Sequence, residues 1–194
     1  MRAYLEHGLI AWPQPVKLFT VGPLFRYDRP QAGRYRQFWQ LNFETIGDAH
    51  PVVDAELLML IEHFFRACGL TVSLQVNSIG DAQCRPAYSK ALVEHLKPHR
   101  AQMCEDCQQR LQKNPLRVLD CKQAVCRQLT QAAPQFVDHL CDDCRQHFTR
   151  VLEYLDEVQV SYALNPRLVR GFDYYTRTTF EVWPSDDESG SQSA

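Results

Sequence analysis

Strand-like alternation fills both ends of this chain and fails in the middle, and that interruption limits the folds open to it. From about Asp81 to Glu157 the sequence leans helical and holds seven of the eight cysteines. Residues 18–28 and 36–47 read instead as two strands joined by a turn containing Pro30 and Gly33, an antiparallel hairpin with a long tip. Side chains alternate along a strand, so Phe38, Gln40, Asn42 and Glu44 share one face, and Trp39, Leu41, Phe43 and Thr45 the other. The second face is apolar enough for a core. The first carries two amides and a carboxylate, and either meets water or lines a pocket.

Past the hairpin, Asp48-Ala49-His50-Pro51 is a helix-start signal, with Pro51 suited to the first turn. Val53, Leu57, Leu60, Ile61 and Phe64 follow at helical spacing, and Gly69 is placed to end the helix. Residues 71–77 alternate as a strand. The β pattern returns at 158–164, from Leu168 onward, and at 178–183. The expectation is an α+β fold: an antiparallel sheet flanked by helices, built from residues 1–80 and 158–194 and interrupted by a helical insertion at 81–157. With 45% hydrophobic and 23% charged residues in a chain of 194, either one core of moderate size or one domain with a smaller inserted one fits.

A formal charge of −2 argues against a protein that coats nucleic acid through general basicity, though a local basic face is compatible with it. No apolar run approaches the roughly 20 residues needed to span a bilayer. The N-terminus lacks the apolar stretch of a signal peptide. These features lead to the expectation of a cytoplasmic protein with mostly reduced thiols.

Two dense runs carry the chemistry. Around the hairpin tip, Arg26, Arg29, Arg34 and Arg36 offer forked donors that match phosphate oxygens, and Phe38 offers a ring on which a nucleobase can stack. A solvated hairpin with arginines for solubility is the plainer reading. Downstream, Leu168-Val169-Arg170-Gly171-Phe172-Asp173-Tyr174-Tyr175 sets an arginine beside a glycine, where backbone can approach a ligand closely. An amphipathic β-segment with tyrosines at a core margin is the plainer reading there.

Taken together, the runs resemble the ATP- and histidine-recognising elements of the histidyl-tRNA synthetases, which are class II aminoacyl-tRNA synthetases. Phe25-Arg26-Tyr27-Asp28 is similar to the class II pattern Phe-Arg-x-Glu, with Asp28 where that pattern has glutamate. Residues 168–175 are similar to the histidine-specific run Leu-Val-Arg-Gly-x-Asp-Tyr-Tyr. Weaker similarities are Asn77-Ser78-Ile79-Gly80, Asn114-Pro115-Leu116-Arg117-Val118-Leu119-Asp120, and Arg2-Ala3 with Glu6-His7-Gly8, so the resemblance covers nearly the whole chain.

The resemblance implies a histidine–tRNA ligase: histidine is activated with ATP and Mg2+ to histidyl-adenylate and then transferred to tRNA(His). It assigns Arg26 and Arg170 to the α-phosphate, Asp28 to the adenine amino group, Arg34 to the outer phosphates and Phe38 to adenine stacking. Gln40 and Glu44 would hold the amino acid, with Tyr174 and Tyr175 at the imidazole. It also implies a homodimer in the full-length enzyme. The class II dimer motif, the later glycine-rich arginine motif and the Arg-Pro-Glu-Gly-Thr-like loop are not found in these 194 residues, so the segment is expected to be part of a catalytic domain and inactive alone. The alternative is a non-catalytic paralogue that senses histidine or binds RNA. The intact 168–175 run argues against it.

The cysteines leave a separate choice open. Cys104-x2-Cys107 and Cys141-x2-Cys144 are knuckles of the kind that build structural Zn2+ sites. Cys121 and Cys126 compete as ligands, and His147 and His99 are substitutes. Buried thiols packing as small hydrophobes are the alternative.

Overall fold

The computed structural model describes residues 1–27, 29–31, 34–170 and 174–185. After a short helix α1 (Arg2–Glu6), the hairpin forms as β1 (Val16–Phe25) and β2 (Gln37–Ile46), antiparallel from Val16 opposite Ile46 to Phe25 opposite Gln37. This register puts Phe19, Val21 and Pro23 across from Phe43, Leu41 and Trp39 on one face. The other face sets Leu18, Thr20, Gly22 and Leu24 against Glu44, Asn42, Gln40 and Phe38. The apolar face is covered only in part. Phe43 packs edge-on against Phe64, with ring centroids 6.2 Å apart, whereas Phe19 and Trp39 remain 71% and 72% exposed.

Helix α2 (Pro51–Ala67) begins where the sequence signals it. Pro51 occupies the first turn, where its missing N–H costs nothing, and His50 caps the end by accepting from the Val52 N–H at 3.3 Å. Gly69, at φ +74°, follows the last turn in the left-handed region that glycine enters without a Cβ penalty. Strand β3 (Val72–Ser78) comes next, and then the helices of the cysteine-rich region: α3 (Arg85–Leu96), α4 (Glu105–Lys113), α5 (Ala124–Leu129) and α6 (Asp142–Glu157).

The chain returns to sheet as β4 (Tyr162–Leu164) and β5 (Thr178–Pro184), which flank β3 in the order β4-β3-β5. Here the structure departs from the expected sheet in two ways. Strands β3 and β5 are antiparallel, but β3 and β4 are parallel, and the hairpin forms a separate two-stranded sheet among the described residues. The strand expected from Val158 also starts later, because α6 runs to Glu157 and Gln159 turns the chain at φ +58° before β4 can pair.

Two hydrophobic clusters hold these elements. One is built within the cysteine-rich region around Tyr88, Leu92, Leu96, Val118 and Phe136, together with all seven of its cysteines, of which Cys104 and Cys141 are only partly buried. The other joins Leu58 of α2, Leu74 and Val76 of β3, and Phe148, Val151 and Leu155 of α6. Helix α6 therefore contributes Cys144 to the first cluster and its later turns to the second. No helix among the described residues is long and apolar enough to cross a membrane.

Candidate active site

At the hairpin tip the backbone closes on itself. The Arg26 N–H donates to the Arg36 carbonyl at 2.7 Å, and Gln31 and Arg34 exchange bonds of 3.2 and 2.9 Å. The Arg26 guanidinium lies 4.5 Å from the Phe38 ring centroid, so the arginine and aromatic expected to share a nucleotide are neighbours. Arg36 stands 5.7 Å from the ring of Tyr27. Below the tip, Gln40 and Asn42 are half-buried and Glu44 is exposed, with Asn42 Nδ2 donating to Glu44 Oε1 at 2.8 Å. Gly22 stands opposite Gln40, and a Cβ there would meet open space, so nothing from β1 crowds the Gln40 amide. Asp28 lies outside the described residues.

The second group is fixed from beneath by β3. Asn77, buried, donates its Nδ2 to the Leu168 carbonyl at 2.9 Å, and Asn165 donates its N–H to the Val76 carbonyl at 3.0 Å. These bonds bring residues 165–168 alongside the strand and present Arg170 beyond its edge. Arg170 Nη1 stands 3.6 Å from Glu181 Oε1 on β5, and its guanidinium carbon is 5.8 Å from the Tyr175 ring. Tyr175 and Tyr174 lie with ring centroids 4.9 Å apart. Glu181 is held in turn by Trp183, whose Nε1 donates to Oε2 at 3.1 Å. Gly171, Phe172 and Asp173 lie outside the described residues.

Three side chains in this group escaped the sequence reading: Glu181, Gln75 and Asn77 in its anchoring role. A signal for the last two existed. Ser73, Gln75 and Asn77 alternate with Val72, Leu74 and Val76, which gives β3 one polar face, and a polar face that is also buried has to meet specific partners. Gln75 meets Asn165 at 3.4 Å. Glu181 has no such local mark, because its partner Arg170 is fixed by tertiary folding.

The expected site residues border two different hollows. Glu44 lines one of about 560 Å³ between the hairpin and α2, together with Lys17, Phe43, Glu56, His63 and Arg66. Arg170 lines one of about 270 Å³ beside Arg85, Lys113, Asn114, Pro115 and Val169. The larger hollow is bordered mainly by stems of α2 and the hairpin, so volume alone does not mark the chemistry. The smaller one gathers three cationic side chains and the Asn114-Pro115 turn.

The thiols correct one expectation. Cys104, Cys107, Cys141 and Cys144 do not share a site. Cys104 and Cys107 converge with Cys121 and Cys126, while Cys141 and Cys144 converge with Asp81 and Cys84; within each group the ligand atoms lie within 4.8 Å of one another. The physical reason is that α4 and α6 each start at their own knuckle, and each helix end faces a different neighbouring segment. His147 and His99 belong to neither group. Burial pushes the Cys107 and Cys144 thiols up. For Asp81, burial acts upward but is outweighed by bonds from the Cys84 N–H, the Cys144 and Cys84 thiols and the Gln83 N–H, which hold the carboxyl below its ordinary range. Burial pushes His147 down, against the opposing charge of Asp54 3.7 Å away.

Comparison with known proteins agrees along the whole length. The sequence pattern described as histidyl-tRNA synthetase matches residues 3–190. A histidine–tRNA ligase of Desulforudis audaxviator is 54% identical over 182 residues, which is 93% of this chain and 43% of the relative. One from Pelotomaculum thermopropionicum is 50% identical over all of this chain and 45% of its own length. Apo histidyl-tRNA synthetase of S. aureus superposes with a TM-score of 0.70 at 39% identity, covering 93% of this chain and 42% of that one. The chain thus spans under half the length of the relatives it matches.

Proposed function

This chain belongs to the histidyl-tRNA synthetase family, and we propose that it forms part of the catalytic domain of a histidine–tRNA ligase. The reaction joins histidine to ATP as histidyl-adenylate, with release of pyrophosphate, and then passes the histidyl group to tRNA(His). On this reading residues 1–80 and 158–194 make the catalytic core and 81–157 an inserted helical domain. The active enzyme is a homodimer of a longer chain, in the cytoplasm where tRNA is charged.

The single observation that carries the reading is the fixed position of Arg170. Its guanidinium is held between Glu181 and Tyr175, on a segment pinned to β3 by Asn77. A cation aimed in advance at the α-phosphate stabilises charge that grows there as the histidine carboxylate attacks, without reorganising during the step. Arg26 would share that phosphate, Arg34 the outer phosphates, and Asp28 the adenine amino group. Because Arg26 already lies over Phe38, adenine would take the other face of that ring or displace the guanidinium. Gln40 and Glu44 would receive the substrate ammonium, and Tyr174 and Tyr175 the imidazole. ATP and Mg2+ are the cofactors of this chemistry. Zinc on this reading is structural, since the converging thiols belong to the helical region.

Arg170→Ala in the full-length enzyme tests the assignment through histidine-dependent ATP–pyrophosphate exchange. The expected loss is about 100- to 1,000-fold, the range for removing one fixed transition-state donor. Exchange at the unaltered rate would refute the role of Arg170.

A further inference from the structure

We propose that the two thiol groups are two separate tetrahedral zinc sites: Cys104, Cys107, Cys121 and Cys126 as four thiolates, and Asp81, Cys84, Cys141 and Cys144 as three thiolates with one carboxylate. The first site draws two ligands from the start of α4 and two from the segments on either side of Lys122–Val125. The second draws two from the start of α6 and two from the turn between β3 and α3.

Geometry favours zinc over packing alone. Four sulfurs about 2.3 Å from a central Zn2+ stand about 3.8 Å apart along each tetrahedral edge. Cys104 Sγ and Cys121 Sγ are 3.8 Å apart, far beyond a disulfide bond. Thiols that merely fill space have no reason to converge four at a time, or three on one carboxylate, and here one group does each. A four-iron cluster would hold its sulfurs apart by its own width, which a spread within 4.8 Å does not provide.

The two groups repeat the same local design. Each knuckle begins a helix, with Cys104 and Cys141 at the N-cap positions and Cys107 and Cys144 in the first turns, so both sulfurs of a pair emerge at one helix start. In each group a backbone N–H from one pair reaches a sulfur of the other: Cys104 N to Cys126 Sγ at 3.4 Å, and Cys141 N to Cys84 Sγ at 3.1 Å. Such bonds orient ligands from outside the metal shell. Asp81 is oriented likewise, its Oδ1 accepting from the N–H groups of Gln83 and Cys84 at 2.9 and 3.1 Å. Beside it, a Cβ on Gly80 would lie 2.6 Å from Cys84 Cβ and 2.7 Å from the Phe136 ring, so only glycine lets the turn come this close.

The second site has a consequence for the first strand of the sheet. Gly80 accepts from the Arg177 N–H at 2.7 Å, and Ile79 donates to the Arg177 carbonyl at 2.9 Å, immediately before β5. Metal bound by Asp81 and Cys84 therefore clamps α6 to the strand end that also holds the start of β5. Helix start and strand end become one rigid corner.

The test is metal analysis of the full chain, expressed with zinc and purified under reductant. Two zinc equivalents are expected, falling to one in either Cys107→Ser or Cys144→Ser. Asp81→Asn keeps every thiol and is expected to speed chelator release of one equivalent only, which gives a reading even where a cysteine variant fails to fold. After zinc removal, Co2+ added to the native chain should produce strong thiolate-to-cobalt absorption saturating at two equivalents. No metal together with no such band, one equivalent only, iron in place of zinc, or fewer than the eight free thiols after denaturation and chelation would each overturn the proposal. None of these readings involves ATP or histidine, so their failure leaves the ligase assignment standing.

Discussion

The hairpin and the cysteine-rich region keep their side chains in place by opposite means. In the hairpin, ladder bonds and an arginine–ring contact hold the shape, while Phe19 and Trp39 face outward at more than 70% exposure. In the cysteine-rich region Tyr88, Leu92, Leu96 and Phe136 are at most 1% exposed, and shape follows from packing. On the proposed reading the hairpin faces ATP and its arginines must reach a phosphate; the ladder register sets where they emerge, and the rings of Phe38 and Tyr27 stand beside Arg26 and Arg36. The helical region has no such requirement and packs tightly.

That contrast can be broken most forcefully at Tyr88. Its ring meets Phe136 at 4.3 Å, and its hydroxyl donates to the Pro134 carbonyl at 3.0 Å. Tyr88→Ala should cost about 3–5 kcal/mol of stability, read from the urea midpoint. A cost below about 1 kcal/mol would mean the cluster is not close-packed.

Asn77 comes next, because it lies between the two regimes: a buried side chain that serves the site. Asn77→Ala leaves the Leu168 carbonyl without its donor and should cost about 1–3 kcal/mol. In the full-length enzyme it should also weaken histidine-dependent exchange, since the segment bearing Arg170 loosens. Lost stability with undiminished exchange would separate the anchor from the site.

His147 gives a smaller, pH-dependent effect. It is buried on α6 among Asp54, Arg177 and His50, and burial lowers its pKa below the ordinary 6.5. The unfolded chain then takes up the proton first, so the contribution is fully present above about pH 6.5 and is lost as pH falls through the folded value. Stability should decline below that pH by at most about 1.4 kcal/mol per unit from this group. His147→Gln should flatten that limb; an unchanged slope would assign it to other groups.

The smallest effects belong to the hairpin surface. Lys17 pairs with Glu56 where both are exposed, and Lys17→Ala should change stability by less than about 1 kcal/mol. Phe19→Thr should fall within about 0.5 kcal/mol. A large loss at either would show that the hairpin is packed more firmly than its exposure indicates.

How much of this was legible in the residues follows from how local each feature is. The hairpin, α2 and β3 carry their own periodicity and caps, so Pro51, Gly69 and the alternation at 71–77 located them. Parallel pairing of β4 with β3 was not legible, since three residues hold no record of the strand they will join. Arg26 and Phe38 came together as expected because the hairpin register places them. The thiols were legible as knuckles but not as partners: the spacing Cys-x2-Cys repeats in Asp81-x2-Cys84, yet which knuckle meets which segment depends on where α4 and α6 start. Arg170 stood out within its own run, whereas Glu181 did not, because their pairing at 3.6 Å is made by tertiary folding.

Helix α6 carries a further consequence through its membership of both clusters. Its 16 residues form a rod about 24 Å long, with one end among the thiols and the remainder against β3 and α2. Amide protons of its early turns therefore depend on the thiol cluster, and those from Phe148 onward on the cluster with β3 and α2. Opening of one cluster exposes its own part of the helix to solvent exchange first, so the protection of the two parts reports the stability of each cluster separately.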